Sequence, residues 1–248
     1  MNILHIWDQA GVACVLAKYQ RKAGHNAKVI KTEADDPFGF LKFYGEEYVN
    51  SMTSNSHVFT EFDIFHLHSY RYLAKPLKQK YPKSKIILEY HGTDARCHTL
   101  LERADDEQYC DLILYSTPDL IEWVPNGIYL PLPIDTEHFK ETCHIEGSLF
   151  MKSDHYRIPA LIPFPFKVEK PVPYKDVPKV FELYDTYIDI QDNKGNVNPI
   201  EAHSKTALEA LATGMKVYTY DRRMIKGLPL HHRPENVIKR LDYLYNLA

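Results

Sequence analysis

The residues of this 248-residue chain that could do chemistry lie in a few short stretches. FDIFHLHSYR carries His66 and His68, and ILEYHGTDAR carries His91 and Asp94. His66 and His68 stand two apart, so on a strand they face the same side. His91-Gly92-Thr93-Asp94 closes the strand that follows. Ligands of open parallel sheets gather outside the carboxyl ends of the strands, so these polar groups fall where a ligand is expected. Two chemistries fit them. H-x-H with a further histidine can ligate zinc or a related ion, as in metal-dependent hydrolases, here through His66, His68 and His91. Alternatively, His68, His91 and Asp94 hydrogen-bond a polar substrate, and His66 caps a strand end. The hydrolase pattern places H-x-H on an early barrel strand, whereas a glycine turn and another strand precede it here.

NPIEAHSKTALEALATG, residues 198–214, holds Glu201 and Glu209 with seven residues between them. Thr206-Ala207-Leu208-Glu209 fits a T-x-x-E capping box, which explains Glu209 alone. In the other reading both carboxylates hold hydroxyl groups of a sugar or ribose. Eight residues of continuous helix rotate by ~80°, so the pair converges more easily if Glu201 lies in a loop and the helix starts near Ser204 or Thr206. A third stretch, NILHIWDQAGVACVLAKYQ, runs from a strand through a turn with Gly11 into a helix, a plausible phosphate site. Neither G-x-G-x-x-G nor a P-loop is present, and a tight turn also needs glycine on steric grounds alone. There is no G-x-S-x-G elbow, and no cysteine has an evident activating partner.

The elements that must position these residues follow from the hydrophobic pattern. Short β-branched or aromatic runs at 2–7, 27–32, 62–68, 85–90, 112–116 and 128–131 alternate with helical stretches, which argues for a parallel sheet. A helix over 12–23 stops at Gly24. Residues 33–61, with Phe38, Phe40, Phe43, Tyr44 and Tyr48, suggest a short helix or lid whose aromatics pack in the core or line a cleft. The rhythm breaks after Pro133. Residues 135–173 are the expected crossing between domains, with only 158–162 strand-like. A helix over 176–184, a strand at 186–190, the glutamate-bearing helix and a strand at 216–220 follow. A closing helix over 234–247 buries Val237, Leu241 and Leu244.

Composition is that of an ordinary globular protein, 44% hydrophobic and 25% charged, and the formal net charge of -3 argues against a dedicated nucleic-acid binder. Four scattered cysteines read as reduced thiols, not a disulfide framework or zinc ribbon. With no signal-peptide pattern and no run of ~20 apolar residues, a cytoplasmic protein is expected, with peripheral membrane contact left open.

Together the motifs resemble the GT-B glycosyltransferases of the group-1 (family 4) class. The likeness runs from Asp8-Gln9-Ala10-Gly11 through FDIFHLHS and His-Gly-Thr-Asp to the PNG and IDTEHF signatures of LILYSTPDLIEWVPNGIYLPLPIDTEHF. It resumes at YKDVPKVFELYDTYIDIQ and ends in E-x7-E and LEALATGMKV. It covers 1–139 and 173–248 in pieces.

The resemblance implies two Rossmann-like α/β domains. Residues 1–139 are the acceptor-side domain, and 140–248 are a shortened nucleotide-sugar-side domain of about three strands. The implied activity is hexosyl transfer from a UDP- or GDP-sugar to a glycan, lipid or small-molecule acceptor, with retention and without a metal or other cofactor. Gly11 would help contact donor phosphate, and His91 would lie near the reacting centre. Glu201 would hold donor sugar hydroxyls and Glu209 the ribose.

Two features depart from the family. The Arg/Lys diphosphate clamp is missing between Lys140 and Lys175, and Lys152, Arg157 and Lys167 lack its context. The glycine-rich E-x-x-G turn reads Glu201-Ala202-His203-Ser204, so Ser204 and His203 would have to meet phosphate and substrate. These departures leave open a catalytically silent relative acting as a sugar-binding or partner subunit.

Overall fold

The structure, a computed structural model, describes residues 1–52, 59–60, 62–151, 162–190 and 202–248. The chain divides into two compact units, Met1–Pro133 with Pro234–Ala248, and Ile134–Arg233. The break thus falls at Pro133, ahead of the expected 139, and the closing helix belongs to the first unit and not the second.

In the first unit, strands β1 (Asn2–Ile6), β2 (Asn26–Lys31), β3 (Glu47–Tyr48), β4 (Ile64–His68), β5 (Lys85–Tyr90), β6 (Leu112–Tyr115) and β7 (Ile128–Tyr129) form one sheet. Its order is β3-β2-β1-β4-β5-β6-β7 and every pairing is parallel. The helices are α1 (Val12–Lys22), α2 (Phe40–Tyr44), α3 (Ala74–Lys80), α4 (Thr93–Arg96) and α5 (Leu100–Glu107). This is the doubly wound layout, whose strand order reverses between β1 and β4. The aromatics of 33–61 divide between the two expected environments: Phe40 is buried, while Phe38 and Phe43 are exposed.

Parallel register sets the faces. His5 lies beside His66, and His68 beside Glu89, so all four side chains point to one side. The alternate residues Leu4, Ile6, Phe65, Leu67, Ile86 and Leu88 point to the other, where Leu73, Ala74 and Leu77 close an aliphatic and aromatic core.

The second unit holds β8 (Ser148–Met151), β9 (Lys167–Glu169), α6 (Val177–Phe181), β10 (Thr186–Ile188), α7 (Lys205–Ala212), β11 (Lys216–Tyr218) and β12 (Met224–Lys226). Its sheet runs β12-β11-β10-β8-β9, with β12 antiparallel to β11. That makes five short strands among the described residues, where the sequence pattern suggests about three. Strands β8, β9 and β12 are too short to show an alternation of their own. Of the expected strand at 158–162, residues 158–161 lie outside the described residues. Finally α8 (Pro234–Leu247) buries Val237, Ile238, Leu241, Leu244 and Tyr245, and it packs beside α1 in the first unit.

Candidate functional site

The reversal between β1 and β4 is where a doubly wound sheet leaves a crevice. Trp7 follows β1 and Ser69-Tyr70 follow β4. The Trp7 and Tyr70 rings stack at 4.5 Å between centroids and 23° between planes, and Tyr72 continues the row 4.9 Å from Tyr70. Lys31 Nζ stands 4.8 Å from the Trp7 ring centre and donates to the Asp8 carbonyl at 2.7 Å. The backbone here is strained. Trp7 (φ 72°), Ala10 (φ 55°) and Ser69 (φ 65°) are left-handed, and Arg222 is the other such non-glycine residue among those described. Such strain persists only where surrounding structure enforces it, and it clusters at functional sites.

The turn at Gly11 is already filled. Gly11 has φ 80°, and a Cβ there would meet the Phe40 ring at 2.5 Å. The Asp8 carboxylate accepts from the backbone N–H of Ala13 at 2.8 Å and of Cys14 at 3.3 Å, capping α1. The Ala13 and Cys14 amides at the start of α1 are therefore engaged inside the protein, and the Phe40 ring supplies a steric reason for glycine at this turn.

Asp94 is likewise committed to its own turn. Its carboxylate accepts from the N–H of His91 and Gly92, at 2.9 and 2.6 Å, and from Ser69 Oγ at 2.6 Å. The His91 ring turns inward, with Nε2 3.0 Å from His68 Nδ1 and Nδ1 3.2 Å from Ser116 Oγ. Both ring nitrogens have protein partners, so the imidazole expected to meet a sugar is occupied. What the turn offers a ligand is its exposed Thr93 and its tightly held backbone.

His68 does not line an open surface. It is wholly buried, and so are His5, His66 and Glu89. His68 Nε2 is 2.9 Å from His5 Nδ1, and His5 Nε2 is 2.7 Å from Gln20 Oε1 on α1. His66 Nδ1 is 2.7 Å from the Tyr245 hydroxyl on α8, and its Nε2 is 3.1 Å from Glu89 Oε2. Burial holds His5, His66 and His68 neutral, His66 down to about 3, with neighbouring histidines adding to the effect. Burial also pushes the Glu89 carboxyl up to about 7, against the pull of His91. A layer of neutral histidines around a carboxyl that loses its proton only near pH 7 therefore lies inside one face of the sheet.

His66, His68 and His91 do not share one ligand centre as the hydrolase reading requires. Two other sets do: His5 with His66 and His68, and His68 with Glu89 and His91. His5, Gln20, Glu89, Tyr245, Trp7 and Tyr70 were not singled out in sequence. The alternation that pairs His66 with His68 also puts His5 on a face with Trp7, and Glu89 two residues before His91. Tyr245 sits four residues after Leu241 on the buried stripe of α8.

In the second unit, Ser204 caps α7, its Oγ accepting from Ala207 N–H at 3.1 Å. The helix thus begins just after Ser204, and the capping box at Thr206 does not form. The Ser204 N–H and the His203 ring both approach Asp189, at 3.2 and 3.3 Å. Glu209 is buried and pairs with Lys205 one turn earlier. Burial raises its pKa, opposed by that lysine. Glu201 lies outside the described residues.

No family model matches the chain, and no curated protein matches it. Among solved structures it is similar to the spinosyn forosaminyltransferase SpnP (11% identity over 99% of this chain and 90% of that one, TM-score 0.45). It is also similar to MurG of Acinetobacter baumannii (11% identity, 99% and 90%, TM-score 0.42). A response regulator of Burkholderia pseudomallei matches 51% of this chain and 65% of its own (16% identity, TM-score 0.30). No helix among the described residues is long and apolar enough to cross a membrane.

Proposed function

We propose that the protein transfers a sugar from a UDP- or GDP-linked donor to a glycan, lipid or small-molecule acceptor. The first unit takes the acceptor and the second takes the nucleotide sugar. The observation that carries this reading is the aromatic row Trp7-Tyr70-Tyr72 at the β1/β4 reversal, with left-handed backbone at Trp7 and at Ser69 beside Tyr70. Aromatic faces are electron-rich and suit the C–H faces of a sugar ring, while the nearby turns fix polar groups around it. The order of motifs from Asp8 to E-x7-E supports the donor half.

In this reading Ser204 and His203 approach the diphosphate, and Glu209 exchanges its Lys205 partner for ribose hydroxyls. Glu201 holds the donor sugar. Departure of the nucleotide is the step that positive charge and amide dipoles must stabilise. Lys205 is the nearby cation, on the first turn of α7. No cofactor takes part in the transfer, and configuration is retained. The protein works in the cytoplasm.

The experiment is a thermal-shift screen of UDP, GDP and their sugars, followed by assay of nucleotide release. One nucleotide series should stabilise the protein, and Glu209→Gln should reduce that shift at least tenfold in apparent affinity. No stabilisation by any of them sinks the reading. A second reading, a silent sugar-binding or partner subunit, is favoured by the missing Arg/Lys clamp and by the Glu209–Lys205 pair. Binding without turnover supports it, and measurable turnover eliminates it.

A further inference from the structure

The histidine face of the first sheet contains polar atoms that the protein leaves unsatisfied. Neither carboxylate oxygen of the wholly buried Glu89 accepts a well-aligned hydrogen bond among the described residues: Oε2 lies 3.1 Å from His66 Nε2 and 3.5 Å from His68 Nδ1, near enough to pair electrostatically but poorly directed. A buried polar group without a partner costs roughly 1–3 kcal/mol, and more if charged. A buried carboxylate placed so requires an explanation, and an ion held between it and its histidine neighbours is one.

We propose that His68, Glu89 and His91 are the protein ligands of a divalent transition-metal ion of the zinc type. His68 Nδ1 lies 3.0 Å from His91 Nε2 and 3.5 Å from Glu89 Oε2. One donor atom from each of the three residues fits within a 4.8 Å spread. Zinc bonds of ~2.0–2.1 Å in a tetrahedron put neighbouring donor atoms roughly 3.3 Å apart. The two His68 Nδ1 contacts are close to that spacing, while the approach of Glu89 to His91 is Oε1 to Nδ1 at 3.9 Å, so the Glu89 carboxylate must turn toward Nε2 to complete the set. Two imidazoles and a carboxylate leave a fourth position for water or a substrate oxygen.

The remaining hydrogen bonds set the ligand atoms. The Gln20 amide nitrogen faces the Tyr245 hydroxyl at 3.4 Å, which leaves its carbonyl oxygen to accept from His5 Nε2–H. His5 Nδ1 must then accept, so His68 Nε2 carries the proton and donates to it at 2.9 Å. That leaves the His68 Nδ1 lone pair on the side of His91 and Glu89. On the far side of His91, Nδ1–H can donate to Ser116 Oγ at 3.2 Å. Each ligating ring thus has its other nitrogen held by a protein acceptor, the second layer that orients metal-bound histidines. His5 and Gln20 are positioning residues in this scheme.

The assignment gives the His91 ring a duty other than meeting a sugar. It does not rest on the glycosyl-transfer reading, which implies no metal, and the nucleotide screen above can fail without touching it. The test uses full-length, untagged protein dialysed against chelator and titrated with Co²⁺, then with Zn²⁺ in competition. One equivalent of Co²⁺ should bind, with the intense visible absorption of a tetrahedral centre, and Zn²⁺ should bleach it. Glu89→Gln and His91→Ala should each weaken binding at least tenfold, while His231→Ala, at an exposed histidine, should leave it unchanged. X-ray absorption of the zinc-loaded wild type reads the ligands without any substitution, and two imidazoles are expected. Substoichiometric binding, equal affinity in both ligand variants, or an absorption spectrum without imidazole overturns the proposal.

Discussion

The two faces of the first sheet are built from the same strands, residue by residue in alternation, yet they do different work. On one face Leu4, Phe65, Leu67 and Leu88 pack against Leu73 and Leu77 with no polar atom to satisfy. On the other, His5, His66, His68 and Glu89 occupy equally buried positions, and the three histidines find hydrogen bonds with Gln20, Tyr245 and His91. The aliphatic face stabilises through area and close packing, which tolerate small shifts in position. The histidine face requires particular donor and acceptor geometry.

The contrast can be broken in several ways. The largest effect belongs to the aliphatic face. Phe65→Ala should cost about 3–5 kcal/mol in urea unfolding, by the same amount at pH 7 and at pH 5.5. A clear pH dependence of that loss would mean the faces are not separable.

On the histidine face the cost is set by protons. His66 is held down to about 3 when folded, against an unfolded value near 6.5. Between those values the unfolded chain binds the proton and the folded one does not, so stability falls as pH drops below about 6.5. For His66 alone the loss is ~2 kcal/mol by pH 5, at ~1.4 kcal/mol per unit. His5 and His68 act in the same direction. Glu89 acts oppositely, since its raised value lets the folded state keep a proton between about 4.5 and 7. In chelator-treated protein, denaturation from pH 7 to 5 should show a net loss, and His66→Gln should flatten it. An unchanged slope in that variant would place the acid sensitivity elsewhere.

A smaller effect should follow from Gln20→Leu, which strands the His5 Nε2–H. About 1–2 kcal/mol is expected, together with altered histidine ring resonances in NMR, whereas loss of packing alone would leave the rings as they are. The least perturbing probe is thiol labelling. Cys14 on α1 is buried and burial raises its pKa, with Asp8 adding to it. Cys97 and Cys143 are exposed. At pH 8 a thiol reagent should label the exposed pair and spare Cys14 until the protein unfolds. Prompt labelling of Cys14 would show that α1 opens from the histidine face.

Much of the first unit was legible because its strands are five or six residues long near the sheet centre and carry their own alternation. The same alternation would have revealed His5 and Glu89. It could not reveal Gln20 or Tyr245, whose roles depend on which helices cover that face. Local motifs were ambiguous for a related reason. Thr99-x-x-Glu102 forms a capping box on α5, while Thr206-x-x-Glu209 does not, because Ser204 sits two residues earlier and takes the cap of α7. In the second unit β10 and β11 fall within the expected strands at 186–190 and 216–220, whereas β9 and β12, three residues each, are too short for periodicity to register.

By itself the sequence determined the alternating α/β character, the strand-to-turn placement of His66, His68, His91 and Asp94, and the start of α7 at Ser204. Those follow from side-chain periodicity and capping chemistry, which act over a few residues. Only the tertiary structure decided that α8 returns to the first unit and that Asp8 and Phe40 fill the turn at Gly11. It also turned the histidines inward against Gln20 and Tyr245. These outcomes depend on contacts between residues as far as 225 positions apart. No local pattern encodes such pairings, because they are chosen by which surfaces bury one another.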